Sequence, residues 1–343
     1  MGGPETTNEH NKSGISMTVE IRVQTVKPVR NTFGHIARRF GDKPASRYQE
    51  ATYDLQSEVN FHYKPLWDPD RDLYDRRRTA ITMRDWYALR DPRQYYYGSY
   101  TMARARQQEA ADRQMDFAEK RELLRSLPEA TQRAIVFGLV PLRHYEWGAN
   151  MNLCYIAAYG YGTAITQAAM MSTMDRLGMA QHLSRIGLLV DGNSGASLAE
   201  AKKFWMDHAA WQPLRREVER LFVTRDWFEL LVAQALVADG LLYPLFYQRI
   251  ETYLSRGQGP GLATVIDPLM RWYEETAKWV DAVIKPVIAE NTHNRDYVMG
   301  WAEKWRGAFL SALTPLAEAT MGPDGAVALK DVNAELGARL AKL

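Results

Sequence analysis

The residues in this chain that could do chemistry are carboxylates and histidines set on apolar helices. A carboxylate-bridged di-iron centre in a helical bundle needs one Glu from each of two helices and a Glu-x-x-His turn from each of the other two, because a spacing of three puts both ligands on one inward face. The resulting set of oxygens with imidazole suits iron. The chain has seven histidines: His10, His35, His62, His144, His182, His208 and His293. Only His293 follows an acidic residue at that spacing, in Glu290-Asn-Thr-His293, and this turn has no second copy one helix pair earlier. It lies at the polar end of an apolar segment, so a solvated helix end explains it better than a metal site.

The segment "TMDRLGMAQHLSRI" (173–186) keeps the frame of a ligand turn but has different residues in the ligand places. Helical di-iron proteins often carry Asp-Glu-x-Arg-His-x-Gln there; here Asp175 and Gln181 stand in frame while Arg176 and Met179 replace Glu and His. Glu146 on the preceding helix would be the paired carboxylate. In the second helix pair Glu275 could serve, yet the residue three later is Lys278. Arg and Lys at these degenerate positions repel a cation and can pair with leftover carboxylates, which predicts a salt-bridged or methionine-filled bundle centre and no metal in this chain. The competing reading is an active di-iron protein with atypical ligands, Glu146, Asp239, Glu275 and Glu290 with His293. There is no phosphate-binding lysine loop, dinucleotide fingerprint or serine elbow, and Cys154, flanked by apolar residues, reads as a buried structural thiol. No catalytic or cofactor-binding residue is expected.

The elements that would position these residues are long helices. Ser126 and Glu129 have capping-box spacing before an apolar segment that Pro141 should kink. Residues 163–190 are apolar around most of the circumference until Gly192, Asn193 and Gly195 stop them. Residues 227–253 form another apolar helix interrupted by Gly240 and Pro244, and Asp267 with Pro268 should start a helix reaching Asn291. Two further helices follow. Four helices in two pairs, 129–160 with 163–190 and 225–253 with 267–291, give an all-α, ferritin-like bundle with additional helices.

The organisation we expect is a disordered lead (1–18), an extended arm (19–104), the helical core (105–325) and a short C-terminal helix (326–343). Prolines at 28, 44, 65, 69 and 92 break the arm into short strands or turns. Such a stretch cannot form a core of its own and should lie across the helical body or another chain. Arg, Tyr and Trp interleave in its second half, which a nucleic-acid adaptor would also show, but the scattered Asp residues favour a protein interface. Asp85, Trp86, Arg93, Tyr95, Tyr96, Tyr97, Tyr100 and Arg104 are the candidate interface residues.

Lys and Arg number 43 against 41 Asp and Glu, a formal charge of +2, so no global field favours nucleic acid or an acidic membrane. A single cysteine fits a reducing compartment, and no apolar run reaches the ~20 residues of a bilayer span. A cytoplasmic protein is expected.

The blocks "IARRFGDKPASRYQEATYD" (36–54), "RTAITMRDWYALRDPRQYYYGSYTMARAR" (78–106), "LVPLRHYEWGANMN" (139–152), "MDRLGMAQHLSRIGLLVDG" (174–192), "DWFELLVAQALVADGLLYPL" (226–245) and "LTPLAEAT" (313–320) resemble the beta subunit of the hydroxylase component of bacterial multicomponent aromatic monooxygenases, phenol hydroxylase branch. The resemblance implies a ferritin-like chain without iron of its own. The di-iron centre would lie in a catalytic alpha subunit, which pairs with this chain and a small gamma subunit in a two-fold heterohexamer. A reductase carrying FAD and a 2Fe-2S cluster and a regulatory protein would bind transiently, and the reaction would insert one atom of dioxygen into an aromatic ring, phenol to catechol. This chain would be a non-catalytic, structural subunit.

Overall fold

The computed structural model describes residues 34–56 and 64–343, so the lead at 1–18 and the start of the arm lie outside the described residues. The chain divides into two compact units, Met1–Ala45 and Ser46–Leu343. In the first, the described residues contain one short helix, α1 (Gly34–Phe40).

The second unit begins with α2 (Arg47–Thr52), started by a capping box: the Gln49 amide donates to Ser46 Oγ at 3.2 Å while Gln49 Oε1 accepts from the Ser46 amide at 2.8 Å. After the arm come α3 (Tyr97–Lys120), α4 (Glu129–Gly138), α5 (Leu142–Tyr159), α6 (Thr163–Asp191), α7 (Ala196–Asp207) and α8 (Gln212–Leu221). The chain ends with α9 (Trp227–Ser255), α10 (Gly261–Glu290), α11 (Thr292–Met321) and α12 (Pro323–Leu340). Helices α5, α6, α9 and α10 are the four-helix, ferritin-like core, and the other helices of this unit pack around it. Arg176 meets Glu146 and the Asn150 side chain donates to the Thr173 carbonyl at 2.8 Å, which fixes α5 and α6 antiparallel.

Several boundaries differ from the expected ones, each for a local reason. The helix placed after residue 104 starts at Tyr97, inside the expected arm, where the Tyr96 amide donates to Ser99 Oγ at 3.0 Å. The Ser126–Glu129 box does not form: α4 follows Pro128, and Gln132 Nε2 donates to the carbonyls of Arg125 and Leu127 at 2.8 and 2.7 Å. The chain does break around Pro141 and resume as α5. Pro268 sits inside α10, which already begins at Gly261; Thr264 Oγ1 donates back to the Pro260 carbonyl at 2.8 Å in that first turn. The C-terminal helix starts earlier than 326, at Pro323, a favoured first-turn residue. Gly192 ends α6 in the left-handed conformation, φ 65°.

Helix α9 corrects two expectations. It is not interrupted: Val232–Ala238 and Leu245–Ile250 are wound as π-turns, the second directly after Pro244, which has no amide to give to an α-helical bond. It is also long and apolar enough to cross a membrane by length and composition, contrary to the expectation that no such run exists, yet its most apolar stretch is wholly buried in the molecule. Helices α4, α5, α10, α11 and α12 pack against it, with Gln234 and Asp239 facing polar partners inside.

Arm residues 64–96 lie across the helices of this second unit, and no strand occurs among the described residues. The Ala80 amide donates to Asp226 at 2.7 Å, Trp67 Nε1 to the Tyr159 hydroxyl at 3.3 Å, and the indole of Trp86 packs on Tyr161 and Trp227. Arg78 is buried and fixes a turn, donating to Asp68 Oδ2 at 2.9 Å and to the carbonyls of Asp72 and Arg71 at 2.7 and 3.0 Å. One residue of α6 has no such structural reason. Gly178 lies mid-helix, nothing stands within 4 Å of where its Cβ would be, and glycine there costs about 1 kcal/mol against alanine.

Candidate functional site

Arg176 occupies the centre of the bundle. Its guanidinium donates to Glu146 Oε2 at 2.9 Å, to Asp239 Oδ2, and to the Tyr243 hydroxyl at 3.3 Å, and it lies 4.6 Å from the centroid of the Trp272 ring. Glu146, Arg176 and Asp239 are all buried on helices α5, α6 and α9. The remaining lone pairs are used as well. The Tyr243 hydroxyl donates to Glu146 Oε1 at 2.7 Å, and the Tyr145 hydroxyl to Asp239 Oδ1 at 2.6 Å. Gln234 donates to the Tyr145 oxygen at 2.8 Å and to Asp239 at 3.1 Å, and Asn152 donates to Gln234 Oε1 at 2.9 Å.

Burial pushes the Glu146 carboxyl upward against the pull of Arg176, and burial, with neighbouring carboxylates, holds the hydroxyls of Tyr145 and Tyr243 well above the usual tyrosine range. Both tyrosines are therefore donors, and the arginine supplies the fixed positive charge. Two carboxylates from two helices meet an organic cation in the place a bundle would hold a metal. This donor set does not fit a di-iron centre, because a guanidinium, with five donors and no acceptor, cannot ligate and takes up the carboxylate oxygens that would.

Asp175, the neighbour of Arg176, anchors a second network on the other side of the helix. It accepts from Tyr100 at 2.8 Å, from Arg104 at 2.8 and 2.7 Å, and from Trp272 Nε1 at 2.8 Å. Arg104 also reaches Glu275 at 3.2 and 3.1 Å, and Gln107 donates to the same carboxylate at 3.1 Å. Trp272 connects the two networks: its N–H serves Asp175 and its face covers Arg176. The two adjacent residues thus tie α6 to α3, α5, α9 and α10.

Of the five degenerate ligand positions, the structure brings Glu146 and Arg176 together and sends the others elsewhere. Glu275 belongs to the α3 network, Met179 is part-buried against the core, and Lys278 is exposed, so the expected positive charge at the second half of the centre is not there. Asp239, named above only in the competing di-iron reading, fills the role expected of Glu275; the π-turns on either side of it kept any spacing rule from pairing it with Arg176. The Glu290–His293 turn is open to solvent, as expected of a helix end, but its side chains are engaged. Glu290 accepts from the Arg84 amide and side chain at 3.0 and 2.9 Å, His293 Nε2 lies 3.2 Å from the Ala80 carbonyl, and buried Asn294 exchanges hydrogen bonds with Thr82. Hydrogen bonds from Arg84 hold the Glu290 carboxyl below its ordinary range. This turn clasps the arm. Cys154 is half-buried, more open than the buried thiol expected. Among the described residues no group of three or more His, Cys, Asp or Glu is arranged to hold a metal.

The candidate interface residues mostly face inward. Trp86 and Tyr100 are buried, Arg93 is folded on Asp91 at 2.9 Å and over Trp279, and Arg104 is engaged as above. Asp85 caps a single turn by accepting from the Tyr87 amide at 3.0 Å. The ring of Tyr95 lies beneath Arg104, and Tyr96 is half-buried. Tyr97 alone of the eight projects freely, 78% exposed.

His144 stacks on Trp205, and burial, with the nearby charges of Arg143 and Lys202, lowers its pKa to about 4. The unfolded chain therefore takes up a proton near pH 6.5 that the fold refuses until about pH 4, so stability falls as pH drops through that window. His144→Gln should flatten that part of a plot of melting temperature against pH; an unchanged slope would show that His144 is not its source.

The sequence matches the family described as Methane/Phenol/Alkene Hydroxylase over residues 67–291. It is 51% identical, over 95% of this chain and 98% of the relative, to the phenol 2-monooxygenase oxygenase component DmpL of Pseudomonas sp. (strain CF600). It is 25% identical, over 82% of this chain and 88% of the relative, to the hydroxylase component subunit beta of the toluene-4-monooxygenase system of Ectopseudomonas mendocina. The fold superposes on a chain of the phenol hydroxylase of Pseudomonas sp. OX1 with a TM-score of 0.87 and 47% identity, covering 94% of this chain and 98% of that one. The buried arginine at its centre is thus found in a chain that belongs to the methane/phenol/alkene hydroxylase family, on the phenol hydroxylase branch of the bacterial multicomponent monooxygenases.

Proposed function

We propose that this chain is the non-catalytic, structural beta subunit of a phenol- or toluene-type hydroxylase. It supports and assembles an iron-bearing alpha subunit that hydroxylates aromatic rings with dioxygen, phenol to catechol. The observation that carries the reading is the Arg176 guanidinium seated on Glu146 and Asp239, where a bundle of this kind would otherwise offer carboxylates to a metal. The chain's own residues do no redox chemistry in this account; they hold a rigid helical body. The partners are the alpha subunit and a small gamma subunit in a two-fold heterohexamer, with the arm reaching partner chains. A regulatory protein and a reductase with FAD and a 2Fe-2S cluster bind transiently, in the cytoplasm, without nucleic acid or membrane.

The test is metal analysis of this chain purified alone and purified with a co-expressed chain that carries two Glu-x-x-His turns. Iron should follow the second chain, and the two should co-purify. About two irons per chain in the isolated protein would overturn the proposal.

A further inference from the structure

Where the arm crosses the C-terminal end of α5, a pocket of about 220 Å³ opens, lined by Trp67, Asp68, Arg71, Arg78, Tyr155 and Arg225. Its charges do not balance. Asp68 is the one carboxylate in the lining, and a single oxygen of it serves both Arg71 at 2.8 Å and Arg78 at 2.9 Å. Arg225 is left over: among the described residues its guanidinium forms no ion pair and donates no hydrogen bond. The carboxylate of Asp226, next to it in the chain, is spent on the amides of Ala80, Phe228 and Glu229 at 2.7, 2.8 and 3.0 Å. Arg225 is nevertheless held in place. Its carbonyl accepts from the Tyr155 hydroxyl at 2.9 Å, and its guanidinium lies 4.8 Å from the centroid of the Trp67 ring. Arg78 lies 5.3 Å from the same ring and cannot retreat, because it is buried and bonded to Asp68 and to the carbonyls of Asp72 and Arg71. Two like charges fixed on one indole repel, and an anion in the pocket that both of them line relieves the repulsion.

We infer that this pocket is a binding site for a small aromatic carboxylate of the benzoate class, with the carboxylate on Arg225 and the ring against Trp67 and Tyr155. The inference is independent of the subunit role proposed above. Three features select the ligand. The guanidinium fork matches a carboxylate through two parallel hydrogen bonds, and Arg225 is the arginine of the pocket whose fork is uncommitted. The rings of Trp67 and Tyr155, 6.4 Å apart and inclined by 32°, form an apolar wall, and Trp67 is 45% exposed, open to a visiting ring. The size also fits, since an apolar cavity of about 150 Å³ already admits benzene and this pocket has room for a ring and its carboxylate. Inorganic phosphate would satisfy the arginines but leave the aromatic wall unused.

The test is calorimetric titration of the full chain with benzoate and, separately, with inorganic phosphate. Benzoate should saturate one site with a dissociation constant of about 1 mM or below, and phosphate should bind about tenfold more weakly or worse. Arg225 is exposed and makes no ion pair among the described residues, so Arg225→Gln should leave the melting temperature in place while weakening benzoate by about tenfold or more. Arg225→Lys keeps the charge without the fork and should recover only part of that loss. Arg133→Gln, at an exposed arginine of α4 paired with Glu129 outside the pocket, should change nothing. Absence of saturable benzoate binding, or equal binding by the unsubstituted chain and Arg225→Gln, would overturn the inference. Phosphate binding as tightly as benzoate would show that charge alone is read and would overturn the assignment to an aromatic acid.

Discussion

Arg176→Met should destabilise the fold by about 3–5 kcal/mol, the range for breaking a buried ion pair by removing one partner. The reason is the company it leaves behind. Glu146 and Asp239 are both buried, and without the guanidinium their only donors are Tyr243, Tyr145 and Gln234. One carboxyl would have to take up a proton, and Glu146, already pushed upward by burial, is the group to do so. The loss should therefore shrink as pH falls, and Glu146→Gln added to Arg176→Met should recover part of it at neutral pH. Replacing all three with apolar residues of similar volume should recover more, since buried ion networks are often no more stable than well-packed hydrophobic replacements. Denaturant titrations of the series decide the matter: if Arg176→Met costs under about 1 kcal/mol, well below the buried-pair range, the cluster is not what holds α5, α6 and α9 in place.

How much of this was legible in the sequence depended on whether the signal was local. The four core helices were readable because each is apolar over many turns, and Arg176 stood out because a charge inside such a run must be paired. Its partner Glu146 was found by analogy of position. Asp239 was not assigned to it, since the π-turns of α9 change which residues share a face, and no 3.6-residue period anticipates them. Lys278 was misplaced for the complementary reason: α10 turns that residue to solvent while Glu275 faces α3. The arm was the least legible part. Its order comes from long-range caps and clasps, such as Ala80 on Asp226 and Arg84 on Glu290, which join residues far apart in sequence. Trp86, Tyr100 and Arg104 read as interface residues in the sequence because aromatic and arginine side chains suit a neighbouring chain and the chain's own bundle equally well.

Arg104→Leu should be the second most damaging single change, at about 2–3 kcal/mol, and its pH dependence sets it apart from Arg176→Met. The substitution removes four hydrogen bonds to Asp175 and Glu275 and frees α3 from the bundle. Asp175 keeps Tyr100 and Trp272, so the buried carboxylate is not abandoned, which is why the cost is smaller. Glu275 in the intact fold is held below its ordinary 4.5: partial burial would raise it, but hydrogen bonds from Arg104 and the charge of that residue outweigh burial. A carboxyl with a depressed folded pKa contributes stability that is complete above the unfolded value and is lost as pH falls through the folded one. The unsubstituted chain should therefore lose stability below about pH 4.5 through this pair. Arg104→Leu should lack that loss, so the two curves converge in acid and separate toward neutrality. Arg104→Lys should restore the charge without the two-pronged grip on Asp175 and recover only part of the difference. A gap between the curves that stays constant from neutrality down to pH values well below 4.5 would mean that Arg104 acts through packing over Tyr95 and Tyr100 and that its charge contributes nothing to holding α3.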